Sequence, residues 1–196
     1  MMVKMLRFFR FSFLWAGLFC LPLCAAEVAP FFNYEGQSVM ITAARGINRQ
    51  ILSLFTQSTF PGTSSSTLFA GSYLLPGTVW SFPLRHRFEV GYQGNRHDDY
   101  QSYTHAVAGW MPEALVNLNP AYIAFGAGPY LKSRATPVSG GRFAVVANLA
   151  FGVTFHAVNV EMFLRHHSNA YTASPNHGND FFGIALSYNF SLHSRS

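Results

Sequence analysis

The chain has 196 residues, 49% of them hydrophobic and 11% charged, which suits one domain and leaves little room for a second. Its formal charge of +5 overstates its basic character: residues 1–26 hold three basic residues and no acidic one, so the remainder sets ten basic side chains against eight acidic ones and carries no footprint for nucleic acid. Both cysteines, Cys20 and Cys24, fall in the same stretch, which excludes disulfide-stapled and thiolate–metal scaffolds for residues 27–196.

At the start, Lys4, Arg7 and Arg10 precede the apolar run FSFLWAGLFCLPL, and CAA stands just before Glu27. Charge, then apolar residues, then small residues is the order of a secretory signal peptide, which predicts a leader over 1–26 and a domain over 27–196. Cys20 and Cys24 fit lipidation less well, because Phe19 and Leu23 before them are bulky where a small residue is expected. After Glu27 there is no uncharged apolar run of about twenty residues, so no ordinary transmembrane helix is expected.

Period-two alternation then dominates. Strand candidates follow at Ser38–Ala44 and Ile47–Thr56, with Thr67–Leu75 as a competitor that would displace one of the two. From Trp80 to Tyr92 the even positions are oily (Trp80, Phe82, Leu84, Phe88, Val90, Tyr92), with His86 at the girdle level, while the odd ones include Arg85, Arg87 and Glu89. Ser102–Val116 and Ala121–Leu131 alternate less cleanly. Phe143–Phe155 repeats the sharp split, with Phe143, Val145, Leu149, Phe151, Val153 and Phe155 on one side and Arg142, Asn148 and Thr154 on the other. Val158–Asn169 and Phe181–Phe190 complete eight strands, most of them separated by breaks such as FPGTSSST, NLNP and PVSGG.

Runs of this length exceed an ordinary strand and suit a tilted crossing of a bilayer. The expected fold is therefore all-β: an eight-stranded antiparallel transmembrane β-barrel, closed so that no edge is left. A soluble lipocalin-like barrel would show the same alternation with inside and outside exchanged. The aromatic load of 16% and the lack of long charged surface runs favour lipid contact. Arg85, Arg87 and Glu89 then read as a paired polar lumen.

The stretch LRHHSNAYTASPNHGND, Leu164 to Asp180, concentrates the chemistry. Val158, Val160, Met162 and Leu164 form one apolar row, and His166 and Ser168 continue it, because residues two apart on a strand project the same way. Asp180 heads the apolar row Phe182, Ile184, Leu186, Tyr188, Phe190 on the next strand. Polar groups on a lipid-facing wall cost free energy and are usually functional. A hydroxyl, an imidazole and a carboxylate are the components of nucleophilic acyl transfer: Ser168 as nucleophile, His166 as base, Asp180 as the group that orients the imidazole.

The motif RHHSN, followed by PNHG and by a carboxylate twelve residues after the serine, resembles the signature of the PagL-type lipid A 3-O-deacylases of Gram-negative outer membranes. The resemblance is close over about the last thirty residues. It implies an eight-stranded barrel that hydrolyses the 3-O-linked acyl chain of lipid A without a cofactor, its site facing the outer leaflet. By position it implies catalytic roles for Ser168, His166 and Asp180, oxyanion support from Asn169 and Asn176, and a grip on hydrocarbon by Leu164, Phe181 and Phe182. Expected partners are lipid A as substrate and outer-membrane lipids, with room for a homodimer. The chain departs from the pattern in having Asp180 where glutamate is usual, which shortens the reach to His166 by about one bond length.

Two rivals are weaker. His166, His167 and His177 could be taken for a metal site, but neighbours on a strand point to opposite faces and no thiolate accompanies them, so no metal is expected. His167 reads as a lumen-facing hydrogen-bonding residue, His177 as a loop residue, and His97 and His105 as loop or strand end. Arg165 alternates toward the lumen and away from a head group. The other rival is a non-enzymatic small barrel of structural or adhesive type, for which Ser168 would be dispensable.

Overall fold

The computed structural model describes residues 36–47, 64–97, 100–137, 139–176 and 178–190. Eight strands follow in order: β1 (Gln37–Gly46), β2 (Ser64–Val79), β3 (Phe82–His97), β4 (Tyr100–Leu118), β5 (Ala121–Lys132), β6 (Phe143–Phe155), β7 (Val158–Ser168) and β8 (Asn179–Phe190). Each pairs antiparallel with the next, and β8 pairs with β1, so the barrel is closed. Closure leaves no edge strand to aggregate. The second strand is β2, so Thr67–Leu75 is the interior of a sixteen-residue strand. Of the expected strand Ile47–Thr56, positions 48–56 lie outside the described residues, as do residues 1–26 and 191–196.

The two ends of the barrel differ. At one end the connections are the two-residue turns Trp80–Ser81, Asn119–Pro120 and His156–Ala157. Trp80 and Ser81 both take positive φ, 49° and 65°, the primed-turn geometry that matches the twist of paired strands. At the other end lie the longer connections 47–63, 133–142 and 169–178, with the two-residue connection 98–99.

The polarity of the wall is inverted relative to a soluble protein. Ile41, Phe69, Val90, Tyr92, Leu131 and Ile184 are exposed on the outside, whereas Arg85, Arg87, Arg165, Glu89, Glu113 and Glu161 are buried inside. Three cations face three anions. Arg85 bonds Glu161 at 2.6 Å and Glu113 at 2.8 Å, Arg87 bonds both acids at 3.1 Å, and Arg165 bonds Glu89 at 2.8 Å. The Tyr122 hydroxyl donates to Glu161 at 2.8 Å and Asn148 donates to Glu113 at 3.0 Å. Buried ions are tolerable only when paired and hydrogen-bonded, so a full lumen of matched charge and an oily exterior describe a barrel made for hydrocarbon rather than the lipocalin-like alternative. Apolar plugs such as Met40, Leu115, Ala124 and Phe163 fill the lumen on the side of the short turns.

Arg165 accordingly has no path to a head group: it is 1% exposed and held by Glu89 and Asn148. His105 is corrected from loop or strand end to an inward position within β4, because the strand begins two residues before the alternating segment and parity turns the ring inside. His86 stays on the outer wall, accepting the Trp110 indole N–H at 3.2 Å.

Candidate active site

The register of β7 and β8 sets His166 directly opposite Asp180 and Leu164 opposite Phe182. Directly opposed residues share a face and lie close together, so both pairs project from the outer wall at the end with the long connections. His166 Nδ1 and Asp180 Oδ1 are 2.5 Å apart, with the imidazole 38% exposed and the carboxylate 6% exposed. A short bond of this kind leaves Nε2 as the free ring nitrogen and fixes the ring plane. The short aspartate side chain reaches because the register places it level with the histidine.

Ser168 is half-buried two residues along the same outward row, opposite Val145 of β6. Its hydroxyl makes no hydrogen bond among the described residues, so the structure joins His166 to Asp180 and leaves Ser168 beside them.

Asn169 proves to be a knot. Its side-chain amide donates to the carbonyls of Ala173 at 2.7 Å, Gly140 at 2.9 Å and Pro175 at 3.0 Å. Its Oδ1 accepts the Tyr171 N–H at 2.9 Å, an Asx turn that holds Ala170 and Tyr171 at φ of 50° and 62°. Its own N–H donates to Asn176 Oδ1 at 3.0 Å. Every donor of Asn169 is engaged within the two connections, so the structure gives it a fastening role. Asn176 uses only its oxygen in that contact and keeps its amide N–H groups at a half-buried position.

The same knot ties two connections together. Gly140 N–H donates to Pro175 O at 2.8 Å, and Ser139 pairs with Asn176 as an isolated antiparallel bridge. Lys132 completes the fastening by donating to the Ser139 carbonyl at 2.7 Å and hydroxyl at 3.1 Å. Sequence reasoning missed segment 139–140. The glycine pair at Gly140–Gly141 was its only signal, since a Cβ at 140 would stand 2.4 Å from the Ser174 carbonyl.

Gly178 was missed too. It takes φ +66°, and a Cβ there would lie 2.8 Å from Cε1 and 3.3 Å from Nε2 of His166. Only glycine both adopts that backbone and leaves the working edge of the imidazole clear.

Among the expected hydrocarbon contacts, Phe182 is 47% exposed on the outer wall and Leu164 is half-buried beside it. Phe181 is not there. It is wholly buried inside, against Leu68 and Val107, with its ring 5.2 Å from that of His167. Alternation is the reason, since neighbours on a strand face opposite sides. His167 also faces the lumen, but among the described residues its Nε2 has no hydrogen-bond partner, and His177 lies outside the described residues. Further along the outer wall, an apolar groove of about 1080 Å³ runs over Ile41, Ala43, Phe69, Tyr92, Ile184 and Leu186. It meets the site through β8, whose outward row passes from Asp180 and Phe182 to Ile184 and Leu186.

A polar acid–base pair mounted on the oily outside of a closed barrel is placed to meet groups that arrive from the lipid phase, and the family match gives the class, an ester hydrolase. Residues 77–189, spanning β3 to β8 and the end of β2, match the family model described as Lipid A 3-O-deacylase (PagL). The chain belongs to that family. Among solved structures it is similar to one titled "Crystal structure of the outer membrane enzyme PagL", at 13% identity and a TM-score of 0.50, over 77% of this chain and 99% of that one. No curated protein matches the chain.

Proposed function

We propose that the chain is an outer-membrane serine esterase that hydrolyses the 3-O-linked acyl chain of lipid A. The observation that carries this reading is the 2.5 Å contact between His166 and Asp180 on the lipid-facing wall, next to an outward serine. Ser168 Oγ attacks the ester carbonyl while His166 Nε2 takes its proton, and Asp180 steadies the imidazolium. Collapse of the tetrahedral intermediate breaks the C–O bond to the sugar, whose oxygen leaves with the proton from His166. Water, deprotonated by the same nitrogen, then releases the fatty acid and restores Ser168. The Asn176 amide has donors to spare for the oxyanion, and Leu164 and Phe182 hold hydrocarbon.

Residues 1–26 act as a signal peptide in this reading. The end with the long connections faces outside, because short turns mark the periplasmic rim of such barrels, and the site then meets the outer leaflet. Mass spectrometry of lipid A from cells expressing the protein or its Ser168→Ala variant tests the assignment. Loss of the 3-O-acyl chain is expected only with Ser168 present; a deacylated product in the Ser168→Ala strain would remove Ser168 as nucleophile.

A further inference from the structure

The outward row of β1 starts as lipid-facing wall, with Val39, Ile41 and Ala43 exposed, and ends on the exposed Arg45. Register places Arg45 opposite Phe182 of β8, and Ile47, the next outward position, donates its N–H to the Asp180 carbonyl at 3.0 Å. Arg45 therefore stands diagonally from Asp180 across the β8–β1 seam, within the span of a long side chain.

No described carboxylate is left for it. Glu89, Glu113 and Glu161 are taken by the lumen arginines and the Asp180 carboxylate by His166, and among the described residues Arg45 makes no ion pair or side-chain hydrogen bond. Thr67, its exposed cross-strand neighbour on β2, adds a hydroxyl. Directly along the seam from Arg45, Ala43, Ile41, Ile184 and Leu186 line the apolar groove. A cation above an oily groove, beside an acid–base pair, has the shape of an anionic lipid: chains in the groove and a charged head at the rim.

We infer that Arg45 is a specificity-determining residue that binds a phosphate group on the sugar of the lipid substrate and so registers the ester against His166 and Ser168. The inference rests on the function proposed above. A guanidinium fork pairs two phosphate oxygens at once, and a fixed anchor on the sugar limits which ester reaches the imidazole. Arg45 lies outside residues 77–189 matched to the family, so this contact belongs to the part of the chain that the family match does not cover.

The test measures kcat and KM of the full-length protein and its Arg45→Glu and Arg45→Lys variants in neutral-detergent micelles, on lipid A and on enzymatically dephosphorylated lipid A. With lipid A, Arg45→Glu should raise KM roughly tenfold, the equivalent of one good ion pair, with kcat nearly unchanged. Arg45→Lys should recover part of the loss, and on the dephosphorylated substrate all three proteins should agree. An equal loss on both substrates, or none on either, would overturn the inference. So would a charge effect that appears with dephosphorylated substrate only when phosphatidylglycerol is added, because Arg45 would then be reading a neighbouring phospholipid. Ser168→Ala, run alongside, separates the two ideas: activity surviving in that variant removes the nucleophile but leaves the Arg45 comparison readable in KM.

Discussion

Asp180 sits one hydrogen-bond length from His166 because the β7–β8 register sets the two residues opposite each other. The register brings the short aspartate side chain level with the imidazole. Asp180→Asn keeps the shape and removes the charge that stabilises the imidazolium, so kcat should fall by about 10²–10⁴ with KM little changed. Asp180→Glu should lose less than Asp180→Asn. Steady-state kinetics on lipid A in detergent micelles check the order.

Gly178 tests the clearance around the imidazole. A methyl group there combines a left-handed backbone, which costs about 1–2 kcal/mol for an ordinary residue, with a clash against Cε1 of His166. Gly178→Ala should fold, as shown by its heat-modifiable migration on a detergent gel, and lose roughly 10²-fold in kcat, since small displacements of a reacting group have effects of that size. Wild-type kcat in this variant would show that the imidazole edge needs no such clearance.

Asn169→Ala removes one donation, to the Gly140 carbonyl, that fastens connection 133–142 to connection 169–178, and two, to Ala173 and Pro175, that shape connection 169–178 itself. Leaving those carbonyls unpaired costs about 1–3 kcal/mol each where they stay buried. The outcome expected is faster protease cleavage within 133–142 and a fall in activity, with the barrel itself intact. Unchanged cleavage would mean the bridge between Ser139 and Asn176 holds the two segments without help.

Phe181 and Phe182 are chemically identical neighbours on opposite sides of the wall. Phe181→Ala should destabilise the barrel by about 3–5 kcal/mol, as deletion of a buried ring does, measured by urea unfolding in lipid vesicles. Phe182→Ala should leave stability nearly unchanged and raise KM. A reversal of these two results would invert the assignment of inside and outside at β8.

In the lumen, Glu161 serves Arg85, Arg87 and Tyr122 together. Glu161→Gln strands a buried positive charge and should cost about 3–5 kcal/mol, read as a lower urea midpoint. Combining it with Arg85→Met should recover part of the loss, because the excess cation is then gone.

Much of this protein is legible along its chain because a strand's period is two. Alternation from Trp80 to Tyr92, Phe143 to Phe155 and Val158 to Asn169 marks which residues share a face, and therefore that His166, Ser168, Asp180 and Phe182 share theirs. The same rule turned Phe181 and Arg165 inward; only Phe181 was misread, through proximity to the motif. The second strand was ambiguous because Ile47–Thr56 and Thr67–Leu75 are both apolar and only pairing partners distinguish them. Periodicity is a local property and needs no knowledge of neighbours.

Register, loop fastening and the sign of the wall depend on residues far apart in sequence, and only the tertiary structure decided them. Asp180 meets His166 through strand pairing, Asn169 reaches the distant Gly140 carbonyl, and Arg45 comes beside the site only because β8 closes on β1. Which face is oily could be read from the chain; which face is outside required seeing three arginines and three glutamates neutralise one another inside, since charge can be buried only where its counter-charge is brought to meet it.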